Sequence, residues 1–135
     1  MDEEAGVMTS ADEIMIMLKR SPDDPAQFSR EYQETIGNVL AALRVDGVET
    51  KPRIFTMDAV GSVGGYTGEF IAMANALGPA TIAALSGWLA GRNGRKVRIK
   101  VEGIEVEANS MKQLDEALRR VEQVKRDNEP KRVHE

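Results

Sequence analysis

The sequence predicts a single small α+β domain in the order β-α-β-α-α-β-β-α, with a C-terminal β-hairpin packed on helices. Strict two-residue alternation marks a pair of strands over 97–108. Amphipathic repeats with helix-capping residues lie at 25–44 and 110–126. A length of 135 residues is that of one domain, enough to bury a hydrophobic core without disulfides or metal. With aromatics at only 4%, that core must be built from Leu, Ile, Val, Ala and Met.

Residues 1–10 are acidic and small and read as a flexible N-terminus ahead of a domain spanning 11–126. Ile14-Met15-Ile16-Met17-Leu18 is a short continuous apolar run that fits a buried strand or the end of a short helix, with the strand favoured, since so short a run has no decisive period. Ser21-Pro22-Asp23-Asp24-Pro25 is a turn cluster. A helix is expected over 25–44, with Asp24 as N-cap, Pro25 at the first position and Gln27 completing a capping box. Phe28, Tyr32, Ile36, Val39, Leu40 and Leu43 recur at helical spacing as its apolar stripe, and Asp46-Gly47 ends it. Val48 to Met57 has strand character. Pro52 confines that strand to an edge, with Ile54, Phe55 and Met57 as its buried part.

A glycine-rich connection, Gly61 to Gly68, comes next. Between Glu69 and Arg92 no charged residue intervenes. The break at Gly78-Pro79 divides that stretch into two expected helices, 68–77 and 79–91. In the hairpin, Val97, Ile99 and Val101 alternate with Arg98 and Lys100, and Ile104, Val106 and Ala108 alternate with Glu105 and Glu107. A two-residue turn at Glu102-Gly103 sets Val101 against Ile104, Lys100 against Glu105, Ile99 against Val106 and Arg98 against Glu107. Ser110 and Gln113 form a capping box opening the last helix, whose stripe is Leu114, Leu118, Val121 and Val124. The dense charges that follow predict a disordered tail over 127–135.

Composition removes several kinds of chemistry. There is no cysteine, which excludes disulfides, thiolate metal sites and cysteine nucleophiles. The one histidine, His134, sits in the charged tail and offers no base to Ser86 or Thr81. The Gly61–Gly68 loop lacks the Gly-Lys-Ser/Thr ending of a phosphate-binding loop. Asp58 and Glu69 flank it without a visible cleft, so they read as a strand end and a helix-dipole partner. No catalytic, cofactor or metal site is expected. A net charge of −4 argues against nucleic acid as a partner. The start Met1-Asp2-Glu3-Glu4 lacks a secretory pattern, which makes the cytoplasm the expected compartment.

Two features remain as candidate contact surfaces. Arg92, Arg95 and Lys96 form a basic knuckle that, with Trp88 and Leu89, is the candidate partner-contact site for an acidic protein. The charge-free 70–91 stretch reads as a helical hairpin carrying Phe70, Ile71, Met73, Leu77, Ile82 and Leu85, packed in the core or against another copy. The rival expectation is that this hairpin inserts into the inner membrane after activation or cleavage.

Ala76-Leu77-Gly78-Pro79, Ile82-Ala83-Ala84-Leu85, Gly87-Trp88-Leu89-Ala90-Gly91-Arg92 and Gly94-Arg95-Lys96-Val97-Arg98-Ile99-Lys100-Val101 together carry a family likeness. With Gly103-Ile104-Glu105-Val106-Glu107 and Leu114 to Leu118, the chain resembles the effector-associated constant component family of bacterial conflict systems, the first numbered family of that name. The resemblance covers 66–124 in motif and 11–60 in outline. It implies a fixed component encoded beside variable effectors, often caspase-like or trypsin-like peptidases, in immunity against phage or in self-destruction circuits; the role expected for this chain is a non-catalytic adaptor. It transfers no active-site residue.

Overall fold

The computed structural model describes residues 13–55 and 65–133. The chain forms β1 (Ile14–Lys19), α1 (Arg30–Val45), β2 (Glu49–Phe55), β3 (Gly65–Met73), α2 (Pro79–Ala90), β4 (Lys96–Val101), β5 (Ile104–Ala108) and α3 (Met111–Val133). The five strands make one sheet in the order β2-β3-β1-β4-β5, every neighbouring pair antiparallel. Its first four strands with α1 and α2 have the split βαβ, or ferredoxin-like, topology. The β5 strand and α3 extend it at one edge. The α+β class and the single domain are as expected.

One core cluster holds the molecule together. Ile14, Ile16 and Leu18 of β1, Phe70 and Ala72 of β3, and Val97, Ile99 and Val101 of β4 are buried on one sheet face. Tyr32, Ile36, Val39, Leu40 and Leu43 of α1, Leu85, Trp88 and Leu89 of α2, and Leu114 and Val121 of α3 close over them. All three helices therefore lie in one layer.

The C-terminal hairpin has the expected register in every pair, from Val101 opposite Ile104 to Arg98 opposite Glu107. Its turn residues Glu102 and Gly103 have φ of 47° and 92°, the left-handed pair that suits the twist of a two-residue hairpin. Arg98 contacts both glutamates across the strand, at 2.9 Å to Glu105 and 3.5 Å to Glu107. At the start of α3, Ser110 Oγ accepts the Gln113 N–H (3.2 Å), and Gln113 Oε1 accepts the Asn109 N–H (2.9 Å).

Several expectations are corrected. Residues 68–77 are not a helix. Phe70 and Ala72 alternate with Glu69, Ile71 and Met73 along β3, a two-residue period that the alanine-rich context obscures. The 70–91 helical hairpin therefore does not exist, and the rival membrane-inserting reading loses its structural basis. Among the described residues no helix is long and apolar enough to cross a membrane. The first helix begins at Arg30, not Pro25, with Ser29 Oγ accepting the Tyr32 N–H as its cap. Asp24 is occupied elsewhere. Pro52 does place β2 at an edge, yet Ile54 and Phe55 are 57% and 44% exposed instead of buried; Phe55 stacks on Phe28. Helix α3 continues to Val133, through residues expected to form a tail. Pairs such as Gln123–Asp127 support its last turns. Residues 1–10, Met57, Asp58, most of the glycine-rich loop and His134 lie outside the described residues.

Two glycines fix how layers and strands meet. Asp46, just past α1, caps α2: its carboxylate accepts the Ala80 and Thr81 N–H groups at 3.2 and 2.8 Å and the Thr81 hydroxyl at 2.8 Å. A side chain at Gly78 would run into that carboxylate, with Cγ at 2.5 Å from an added Cβ. The Thr81 N–H has the largest effect on the Asp46 carboxyl; desolvation opposes it, and the Thr81 hydroxyl and the Ala80 N–H add enough to hold the group below its ordinary value. In β3, pairing with β2 skips between Pro52 and Ile54, and Gly68 turns through the irregularity with φ of 99°. An added Cβ there would lie 2.7 Å from the Leu18 carbonyl oxygen. Gly68→Ala is expected to destabilise the fold by about 2 kcal/mol or more, whereas Gly103→Ala, with open space around it, meets only the backbone strain. Urea denaturation of the two variants checks this; equal losses would show that the close approach at Gly68 is unimportant.

Candidate interaction face

Placing the helices in one layer leaves the other sheet face without a covering element among the described residues. Residues there follow from the register. One row across the sheet reads Lys51 (β2), Ile71 (β3), Met15 (β1), Lys100 (β4) and Glu105 (β5). The next reads Glu69, Met17, Arg98 and Glu107. Met73 lies beside Glu49 beyond the first row, and Lys19 lies beside Lys96 beyond the second. Met15, Met17, Ile71 and Met73 thus form a half-buried apolar strip on the two central strands, with charged side chains on both sides.

The charges divide into two groups. Glu69 pairs with Arg53 at 3.2 Å, and Glu105 and Glu107 are taken up by Arg98, with Lys96 at 3.9 Å from Glu107. Lys19, Lys51 and Lys100 form no ion pair or hydrogen bond among the described residues. Lys19 faces Lys96 directly, a like-charge arrangement that is unfavourable unless something else supplies the counter-charge.

The expected partner-contact residues are distributed differently. Trp88, Leu89 and Arg95 are buried and unavailable to a partner. Arg95 makes a fork with Asp24: Nε donates to Oδ2 at 3.0 Å and Nη2 to Oδ1 at 2.7 Å, while Nη1 donates to the Trp88 carbonyl at 2.8 Å. Its guanidinium lies 5.0 Å from the Trp88 ring centroid, an attractive cation–π arrangement. Arg92 closes the same site from outside, 3.2 Å from Asp24 Oδ1, and donates to the Asp23 carbonyl at 2.8 Å. The supposed knuckle is a clasp tying the turn after β1 to the α2–β4 connection. Only Lys96 remains on the open face. Of the supposed hairpin residues, Phe70 and Leu85 are in the core, Leu77 packs against it, Ile82 is partly exposed on α2, and Ile71 and Met73 belong to the open strip.

The displaced ionisations serve packing. Burial pushes the Asp24 carboxyl up, but hydrogen bonds from Arg95 and the Ser21 N–H and the charges of Arg95 and Arg92 reverse this, so it ionises below its ordinary value. Tyr32 is pushed up to about 12, by burial first and then by Asp24, and its buried hydroxyl has no hydrogen-bond partner. Among the described residues no cluster of three or more His, Asp or Glu could hold a metal ion.

Met15 and Met17 were not among the expected site residues. The signal was present: Ile14, Ile16 and Leu18 alternate with Met15, Met17 and Lys19, so one set must face away from the core. No family model matches the chain, nor does any curated protein or solved structure.

The clasp and its neighbour generate three predictions. Arg95→Ala leaves the Asp24 charge buried and is expected to cost about 3–5 kcal/mol. Asp24's depressed value stabilises the fold above an unfolded value near 4. That contribution is lost as pH falls through the folded value, so Asp24→Asn should flatten the acid limb of a stability-versus-pH curve; an unchanged limb would assign it to other carboxyls. Tyr32 acts with the opposite sign: its contribution is complete below about pH 10 and about 2 to 3 kcal/mol disappears as pH rises towards 12. Tyr32→Phe should remove that alkaline loss while keeping, or raising by about 1 kcal/mol, the stability at pH 7. A large loss at pH 7 would mean the hydroxyl does have a partner.

Proposed function

We propose that this domain is a non-catalytic interaction component that holds a protein partner on the uncovered face of its sheet. The observation that carries this is the Met15–Met17–Ile71–Met73 strip, at the centre of a face with none of the described helices over it. Methionine side chains are flexible and polarisable and adapt to apolar surfaces of varied shape. A sheet that reads single-stranded nucleic acid presents aromatic rings for base stacking, whereas this strip is aliphatic and thioether. The family resemblance supplies the context: a constant adaptor in a bacterial conflict system, paired with an effector such as a caspase-like or trypsin-like peptidase. The contact surface moves from the α2–β4 junction to the sheet, because the junction's arginine is buried in the clasp.

The test is co-expression of the tagged chain with the products of adjacent open reading frames. One of them should co-purify with the native chain and be lost with Ile71→Asp, a change outside the core. An Ile82→Asp control on α2 should retain it, and both variants should keep the native circular dichroism spectrum. Retention by Ile71→Asp would reject the sheet face as the contact surface.

A further inference from the structure

We infer that the open sheet face is shaped and charged for one amphipathic helix of a partner protein, lying along β1 and β3 with acidic residues on both flanks. This rests on the interaction reading above and names the kind of partner. Geometry gives the first support. Lys51 on β2 and Lys100 on β4 stand at the two ends of the row Lys51-Ile71-Met15-Lys100. Three strand spacings of about 4.8 Å separate them by about 14 Å. An α-helix with its side chains is about 10–12 Å across, so a helix seated on the apolar strip brings its flanks over those two lysines. The strip itself has two residues on each central strand, Met15 and Met17 against Ile71 and Met73, which suits the narrow stripe made by apolar residues at three- and four-residue spacing.

Charge gives the second support. Three acids on this face are already matched, Glu69 by Arg53 and Glu105 and Glu107 by Arg98, while Glu49 stands beside Met73 at one end of the strip. Among the described residues Lys19, Lys51 and Lys100 are cations of this face that form no ion pair; Lys51 and Lys100 flank the strip on its two sides, and Lys19 stands at its end beyond Met17. A second copy of this chain seated face to face would set lysine against lysine, whether its two-fold axis, lying in the plane between the sheets, ran along the strands or across them. A helix with acidic flanks neutralises both lanes at once, and charge of this kind sets partner choice and encounter rate more than raw affinity.

The test uses a synthetic helical peptide of about 20 residues, long enough to hold helix in water, with leucines along one stripe and glutamates on both flanks. A control peptide carries lysine at every glutamate position. Each is titrated into the isotope-labelled full chain, followed by amide NMR. The glutamate peptide is expected to shift amides of β1 and β3, and the lysine peptide to leave them unmoved. In the Lys51→Glu/Lys100→Glu chain the glutamate peptide should bind about tenfold or more weakly, and the lysine peptide should now bind. The milder Lys51→Ala/Lys100→Ala chain should weaken the glutamate peptide without admitting the lysine one, and it serves if the reversed chain does not fold. The inference is overturned if both peptides bind alike, if neither binds, if the shifts fall away from β1 and β3, or if those amides respond to protein concentration alone. Any of these results with Ile71-dependent partner capture intact rejects the acidic helix and leaves the interaction face standing; loss of the Ile71 dependence rejects both.

Discussion

The alternation of β1 is the constraint on which the rest of the molecule depends. This strand is paired on both sides, to β3 and to β4, so its register decides the facing of both halves of the sheet. Ile14, Ile16 and Leu18 enter the core, and Met15, Met17 and Lys19 must then point to the opposite face. A slip of one residue would exchange the two sets. Neighbouring features guard against it. Gly68 admits the Leu18 carbonyl at a distance that no side chain would allow. The Asp24–Arg95 fork fastens the turn leaving β1 to the connection entering β4.

The helical layer is secured separately. Asp46 ends its part in α1 and immediately supplies the acceptor for the first N–H groups of α2, so the two helices share one capping residue. Gln33 of α1 pairs with the backbone of Tyr66 through both ends of its amide, accepting at 2.7 Å and donating at 3.0 Å. These polar links fix the orientation of a layer whose attraction to the sheet is otherwise non-directional. With every helix of the described residues committed to one side, the second sheet face is left to be explained by function. Ferredoxin-like topology alone does not say what that function is; the strip and its unmatched lysines carry the reading.

Much of the fold was legible in the sequence where local pattern and local chemistry coincide. The hairpin could be read to the residue because apolar alternation, turn residues and cross-strand charges all specify one register. The last helix was readable from its capping box and its stripe. The failures came where the deciding partner is distant. Asp24 before Pro25 has the look of a helix cap, but its true partner, Arg95, lies 71 positions away. The 68–77 segment was misread because alanine between Phe70, Ile71 and Met73 suits helix and buried strand equally, and a short apolar run does not separate them by period. The open face was missed for the same reason. It draws residues from all five strands and exists only once their order is known.

The central claim is that the Met15–Met17–Ile71–Met73 strip is bare in the free protein. Methionine oxidation by dilute peroxide, mapped by mass spectrometry, measures this directly, because sulfoxide formation follows exposure. Met111, 63% exposed on α3, is the internal standard. Met15, Met17 and Met73, being half-buried, should oxidise in the free chain at rates within about tenfold of Met111 and become protected when the partner is bound. Strong protection of all three in the isolated protein would show that the face is already covered, and would contradict the account.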